Sequence, residues 1–316
     1  VWDLTDLYDG IESSDLTFDL EAAESTADIF ARDYMGKLAT LDPDKFGGAI
    51  QEFEDCNELL SRIMSYAQLL FAANSEDGEI ASFCQNMGER VTAVSAKTLF
   101  FELEINRLEH AEIEVFLSSA AVVRYKPWLE NVRVHKPYQL SDEAERLLHE
   151  KSVTARSAWS RLFDETMAGL RFKLHGRELT NSEIMTRMSD AREANRKAAS
   201  KAFAKGLEDN IKLFALVTNA LAKDKEIEDK WRGYARPVSS RNLANVVEDE
   251  VVDALVGAVR GAYPDLSHRY YALKAKWFGV DALNYWDRNA PLPDDDDTTI
   301  PWAEARKTVL DAYGSF

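Results

Sequence analysis

Five histidines are scattered along the chain, at His110, His135, His149, His175 and His268. A zinc centre built on one helix takes two imidazoles four residues apart, with a glutamate beside the first as general base. The one His-Glu pair is His149-Glu150, and position 153 is Val153, so that set is not completed. A metal site would have to be assembled from distant stretches. Otherwise each histidine reads as a surface or helix-end residue. Neither a Gly-x-Ser-x-Gly elbow nor a glycine-rich phosphate loop is present. Glu102 and Glu104 are two apart and point to different sides of a helix, so solvation explains them better than a catalytic carboxylate pair.

Arginines and tyrosines carry the remaining chemistry. Arg241, with Arg236 nearby, presents a planar fork that suits a carboxylate. The plainer role for both is to bridge loops to helix carbonyls. Asp287-Arg288 stands between aromatic residues and a rigid Ala-Pro-Leu-Pro exit, where Pro291 and Pro293 hold the chain extended. A structural clamp is the commoner use of such a pair. Tyr270 and Tyr271 point to different faces of one helix, one toward a core and the other free to line a cavity.

The elements that must position these groups are helical. Apolar residues at Tyr270, Leu273, Trp277 and Phe278 mark one amphipathic face, and Gly279 is placed for a left-handed cap. A helix is expected over Asp19 to Ala39. Phe46, Ile50, Phe53, Asn57, Leu60, Met64, Ala67 and Phe71 then alternate four and three apart, and Ile80 to Leu108 largely repeats that spacing. The period of about 3.5 gives two supercoiled arms of about 45 Å joined at Asn74 to Gly78. Asn57 on the seam is expected to satisfy a neighbouring polar group. Pairing about that turn leaves Cys56 and Cys84 roughly 16 Å apart, so both are read as free thiols in a reducing compartment.

Beyond the arms, Pro127 and Pro137 read as breaks between short helices, and Ser141 as an N-cap. Ala155 to Met167 is helical. Leu170 to Leu174 alternates with period two, His175-Gly176 turns, and Arg177 to Leu179 returns as the second strand of a hairpin. Thr180-Asn181-Ser182-Glu183 is a capping box opening a further helix. Helix continues to about Lys230 with a bend at Gly206, and Glu248 to Arg260, Asp265 to Phe278 and Trp302 to Tyr313 follow. Asp294 to Asp297 reads as a solvated acidic loop.

The totals narrow the class. The 316 residues can bury a large core, and 46% hydrophobic content is ordinary for a globular chain. A net charge of −17 argues against nucleic acid as a partner. No run of about 18 apolar residues offers a membrane span, and no signal peptide is visible.

Four stretches together resemble one family. They are Trp2-Asp3-Leu4-Thr5-Asp6-Leu7-Tyr8; Lys136-Pro137-Tyr138-Gln139-Leu140-Ser141 with Glu143, Glu145, Leu147 and Leu148; Arg232-Gly233-Tyr234 with Pro237 and Arg241-Asn242; and Tyr270 to Pro293. In this order they resemble the oligoendopeptidase F family, zinc metallopeptidases related to thimet oligopeptidase. The resemblance implies a mostly α, multihelical fold of neurolysin and thimet oligopeptidase type, with a long antiparallel helical hairpin and one small β-hairpin. It implies an N-terminal helical domain over 1–115, an oligopeptidase-type segment with the hairpin over 116–190, and the start of a catalytic domain over 191–316.

The family's His-Glu-x-x-His helix lies downstream of Phe316. The chain is therefore expected to be the N-terminal part of a cytoplasmic endopeptidase that cuts short peptides in a deep channel. The resemblance implies that zinc activates a water for attack on the scissile carbonyl and that the motif glutamate takes its proton. Neither catalytic residues nor a bound metal is expected in this part, which would form one channel wall, be inactive alone, and partner the C-terminal catalytic half. Arg241, Tyr270, Tyr271, Asp287 and Arg288 are the substrate-channel candidates. The alternative is a stand-alone helical binding module descended from a peptidase.

Overall fold

The computed structural model describes residues 2–293 and 298–316, so the acidic run Asp294 to Asp297 lies outside the described residues. The chain is mostly helical, with one two-stranded hairpin among the described residues. It forms two compact units, each from two stretches. The first is Val1–Leu170 with Asp209–Gly257, and the second is Arg171–Glu208 with Ala258–Phe316. The three consecutive segments expected from the sequence divide the chain by order; this division is by packing.

In the first unit α1 runs Ser14–Tyr34, five residues earlier than its apolar pattern suggested, and a single 3-10 turn, Leu38–Thr40, follows it. Helix α2, Pro43–Ala73, starts at Asp42, whose carboxylate accepts from Lys45 N, with Pro43 at the first position. Its 31 residues span about 46 Å. The turn comes where expected, and Asp77 caps α3, Gly78–Thr98, by accepting from Glu79 N and Ile80 N.

The second arm is not one helix. It breaks at Leu99, and α4 continues as Phe100–Arg107. Ser95 and Thr98 hydroxyls donate to the carbonyls of Thr92 and Ser95, a local competition with the helical ladder that bends helices. Helix α1 packs against both arms, so the hairpin is one part of a three-helix layer. Asn57 Nδ2 bonds the Phe53 carbonyl of its own helix at 2.9 Å.

The largest core lies at the far end of the arms. Phe30 and Phe101 meet edge to face at 5.1 Å, and Phe46 stacks on Phe116 at 4.1 Å. Helices α5, His110–Phe116, α6, Ala120–Val123, and α7, Lys126–Arg133, close over them. Pro127 sits in the first turn of α7 and Pro137 in the 3-10 turn Lys136–Tyr138, so both start turns rather than end them. Ser141 caps α8, Asp142–Lys151, and α9 spans Arg156–Gly169. Cys56 is buried and Cys84 half-buried, both free, in separate clusters.

The hairpin of the second unit pairs β1, Phe172–Leu174, with β2, Arg177–Leu179, with Phe172 opposite Leu179. His175 and Gly176, at φ 50° and 78°, form the tight two-residue turn that matches strand twist. The Thr180–Glu183 capping box opens α10, Asn181–Arg187. Helix α11, Glu193–Asp209, ends at Asn210, and α12, Ile211–Arg232, begins anew in the first unit. The break is thus at Asp209-Asn210, side chains that compete for backbone bonds, and not at Gly206. Gly206 has a packing role instead: a Cβ there would lie 2.6 Å from the Phe172 ring. Helices α13, Ser239–Ala244, α14, Asp249–Ala262, α15, Arg269–Trp277, and α16, Trp302–Gly314, complete the chain.

Candidate functional site

The stretch from Tyr263 to Pro293 builds a cavity inside the second unit. One π-helical turn, Pro264–His268, leads into α15. Gly279 at φ 68° reverses the chain after Phe278, in the left-handed conformation that its missing Cβ permits. The return path is pinned twice. Asn284 N donates to Asp287 Oδ2 at 3.1 Å while Asp287 N bonds the Asn284 carbonyl, fixing the turn Tyr285–Asp287. Buried Lys274 donates Nζ to the carbonyls of Arg288 at 2.9 Å and Ala290 at 2.8 Å.

Between helix and return lies a cavity of about 410 Å³, lined among others by Tyr271, Asp281, Asn284, Tyr285 and Arg288. Arg288 is exposed, and among the described residues its guanidinium has no hydrogen-bond partner. It offers a fork to a carboxylate or carbonyl, and the two tyrosines offer flat walls.

Of the five candidates the structure brings Tyr271 and Arg288 to this cavity. Tyr270 meets the Tyr271 ring edge-on at 5.4 Å. Neither tyrosine is in the core: they are 46% and 39% exposed, which corrects the expectation of one buried ring. Leu273 and Trp277 are also exposed, and α15 buries Lys274 and Ala275 instead. Arg241 belongs to the first unit, exposed on α13, with no side-chain partner among the described residues. Its neighbour Arg236 bridges to carboxylates rather than carbonyls, holding Asp253 through two bonds of 2.8 and 2.9 Å.

Asp287 is buried and pairs with Arg196, not with adjacent Arg288. Arg196 Nη2 donates to Asp287 Oδ1 at 2.7 Å, while Nη1 takes the carbonyls of Asp190 and Ala191. Burial by itself would raise the Asp287 carboxyl, but Arg196 and the Asn284 amides outweigh it and hold it below the usual range. Arg196 escaped the sequence reading. Its signal was position: it shares a helical face with Ala199 and Phe203, where a charge must be paired.

Two of the four quoted stretches meet in the first unit. Arg232 holds the Glu145 carboxylate at 2.6 and 3.0 Å and donates to the Tyr138 carbonyl, and the Tyr138 and Tyr234 rings stack at 4.2 Å. Burial favours the neutral Glu145 carboxyl, yet the Arg232 fork and the Leu140 amide keep it low. Among the described residues no three His, Cys, Asp or Glu side chains converge as a metal set, so the residues present do not fit a zinc ion.

Residues 104–172 match the family described as Oligopeptidase F. The chain is 27% identical to the Group B oligopeptidase PepB of Streptococcus agalactiae, over 92% of this chain and 49% of that protein. It is 22% identical to the oligopeptidase PepF of Bacillus subtilis, over 98% of this chain and 46% of that one. In fold it matches the oligoendopeptidase-F from Enterococcus faecium with a TM-score of 0.77 at 20% identity, over 88% of this chain and 56% of that one. The chain spans about half the length of the curated relatives it matches.

Proposed function

We propose that this chain, similar in sequence and fold to oligoendopeptidase F peptidases, is one flank of a cytoplasmic, zinc-dependent enzyme of that type acting on short peptides. The observation that carries the proposal is coverage: about nine-tenths of this chain aligns with oligopeptidases of which it spans half. No helix among the described residues is long and apolar enough to cross a membrane. The chain's own residues bind and orient. Arg288 takes a carbonyl or carboxylate of the peptide, and Tyr271 and Tyr285 flank the peptide chain. A resident zinc would polarise the scissile carbonyl and activate water. In this reading its ligands come from the C-terminal catalytic half, the partner of this flank.

The test is hydrolysis of an internally quenched peptide with zinc present. Residues 1–316 alone are expected to be inactive and the full-length protein active. Chelator-sensitive turnover by residues 1–316 would overturn the assignment of zinc to another part. A full-length protein that binds peptides without cutting them would favour a helical binding module.

A further inference from the structure

A second cavity, of about 460 Å³, lies wholly within the first unit. Its walls include Glu102, Trp128, His135, Tyr138, Arg232 and Tyr234. Glu102 does not behave as its sequence position suggested. Glu104, two residues on, reaches Gly36 N at 2.6 Å, whereas Glu102 is half-buried and its carboxylate has no hydrogen bond or ion pair among the described residues. The nearby cation cannot serve it. Arg232 already holds the carboxylates of Glu145 and Glu228, so its guanidinium is taken up by partners other than Glu102. Burial pushes the Glu102 carboxyl up, and burial, then Arg232, pushes His135 down, leaving that ring neutral near pH 7. An unpaired carboxylate in an aromatic-walled cavity lacks a cationic partner. A metal ion does not suit it, since no three ligating side chains converge there among the described residues.

We propose that this cavity is a binding site for an organic primary ammonium group, anchored on Glu102 and walled by Trp128 and the stacked Tyr138–Tyr234 pair. The ammonium comes either from a small free amine or from the N-terminus of a peptide. The inference stands independently of the peptidase reading, because it rests on Glu102 and the first unit alone.

The experiment follows the Trp128 indole N–H by NMR in the intact chain, assigned with Trp128→Phe, on titration with benzylamine or its neutral counterpart benzyl alcohol. Benzylamine is expected to move that resonance saturably and to bind about tenfold or more tighter than the alcohol, the usual gain of a charge-assisted hydrogen bond. Glu102→Gln is expected to erase the difference. Equal binding of amine and alcohol to the unaltered chain, or no movement of the indole, would overturn the proposal without relying on any variant. Undiminished amine binding by a folded E102Q would do so too. A pentapeptide with a free N-terminus that moves the same resonance, while its acetylated form does not, assigns the source to peptides. Response to benzylamine but to neither peptide assigns it to free amines.

Discussion

Arg196 and Asp287 are 91 residues apart in sequence and 2.7 Å apart in space, an ion pair with side chains only 2% and 7% exposed. It ties α11 to the return path behind the Tyr271–Arg288 cavity. Removing one member leaves the other charged and buried, which typically costs about 3–5 kcal/mol. Asp287→Asn is expected to lower unfolding stability by that order in urea. The Asp287 carboxyl is depressed in the folded state, so its contribution is present above the unfolded value of about 3.9 and is lost as pH falls through the lower folded value. The stability difference between unaltered chain and variant should shrink only below about pH 4. A difference independent of pH down to acid unfolding would contradict the pairing.

Gly206→Ala tests the contact under the hairpin. Alanine ordinarily strengthens a helix by about 1 kcal/mol over glycine. Here its Cβ would lie 2.6 Å from a ring carbon of Phe172, which is buried and cannot swing away. Net destabilisation of about 1–2 kcal/mol is expected, with Phe172→Leu in the same chain restoring part of it. A stabilised G206A would show that the ring yields.

In the full-length protein Arg288→Ala is expected to raise KM for a short peptide about tenfold, the worth of a charge-assisted bond. Thermal stability should stay within about 0.5 kcal/mol, as for an exposed side chain without a described partner. Tyr271→Ala should act in the same direction, and Tyr270→Ala, which does not line the cavity, less. Unchanged KM in both Arg288→Ala and Tyr271→Ala would remove the cavity from the substrate path.

Arg232 and Glu145 make a second test in the first unit. Glu145→Gln keeps the shape but weakens two charge-assisted bonds, for an expected loss of about 1–3 kcal/mol. Arg232→Lys is expected to lower unfolding stability by a similar amount although it keeps the charge, because an ammonium cannot reproduce the fork. Urea unfolding followed by fluorescence checks both.

Helices α14 and α16 bury no residue, and Trp302 and Tyr313 are 79% and 77% exposed. Residues 1–316 alone are therefore expected to bind a hydrophobic dye strongly and to associate as concentration rises. On the proposed reading, a protein that includes the C-terminal catalytic half should do neither to the same degree. A dye-silent monomer of residues 1–316 would mean that these faces are too dispersed to matter.

Much of the architecture was legible because it follows local rules. The seam from Phe46 to Phe71, the cap at Ser141, the His175-Gly176 turn and the left-handed Gly279 each depend on a few neighbouring residues. Departures came where distant contacts decide. Gly206 is set by a ring 34 positions upstream rather than by a bend, whereas the interruption at Leu99 goes with the local Ser95 and Thr98 hydroxyl bonds that the apolar spacing does not register. The candidate site was half legible. Aromatic and Asp-Arg spacing marked Tyr271 and Arg288, but the partner of Asp287 could not be read from adjacency, because a buried charge chooses whichever counter-charge the fold delivers. Glu102 was dismissed for the same reason: its surroundings come from α7 and α12, not from its own helix.

Each unit is assembled from two stretches that alternate along the chain. During synthesis the ribosome delivers residues 171–208 before the first unit has received 209–257, and the second unit then waits for 258–316. Arg196 thus emerges 91 residues ahead of the carboxylate that neutralises it. Until then α11 carries a charge whose folded-state partner has not yet been made.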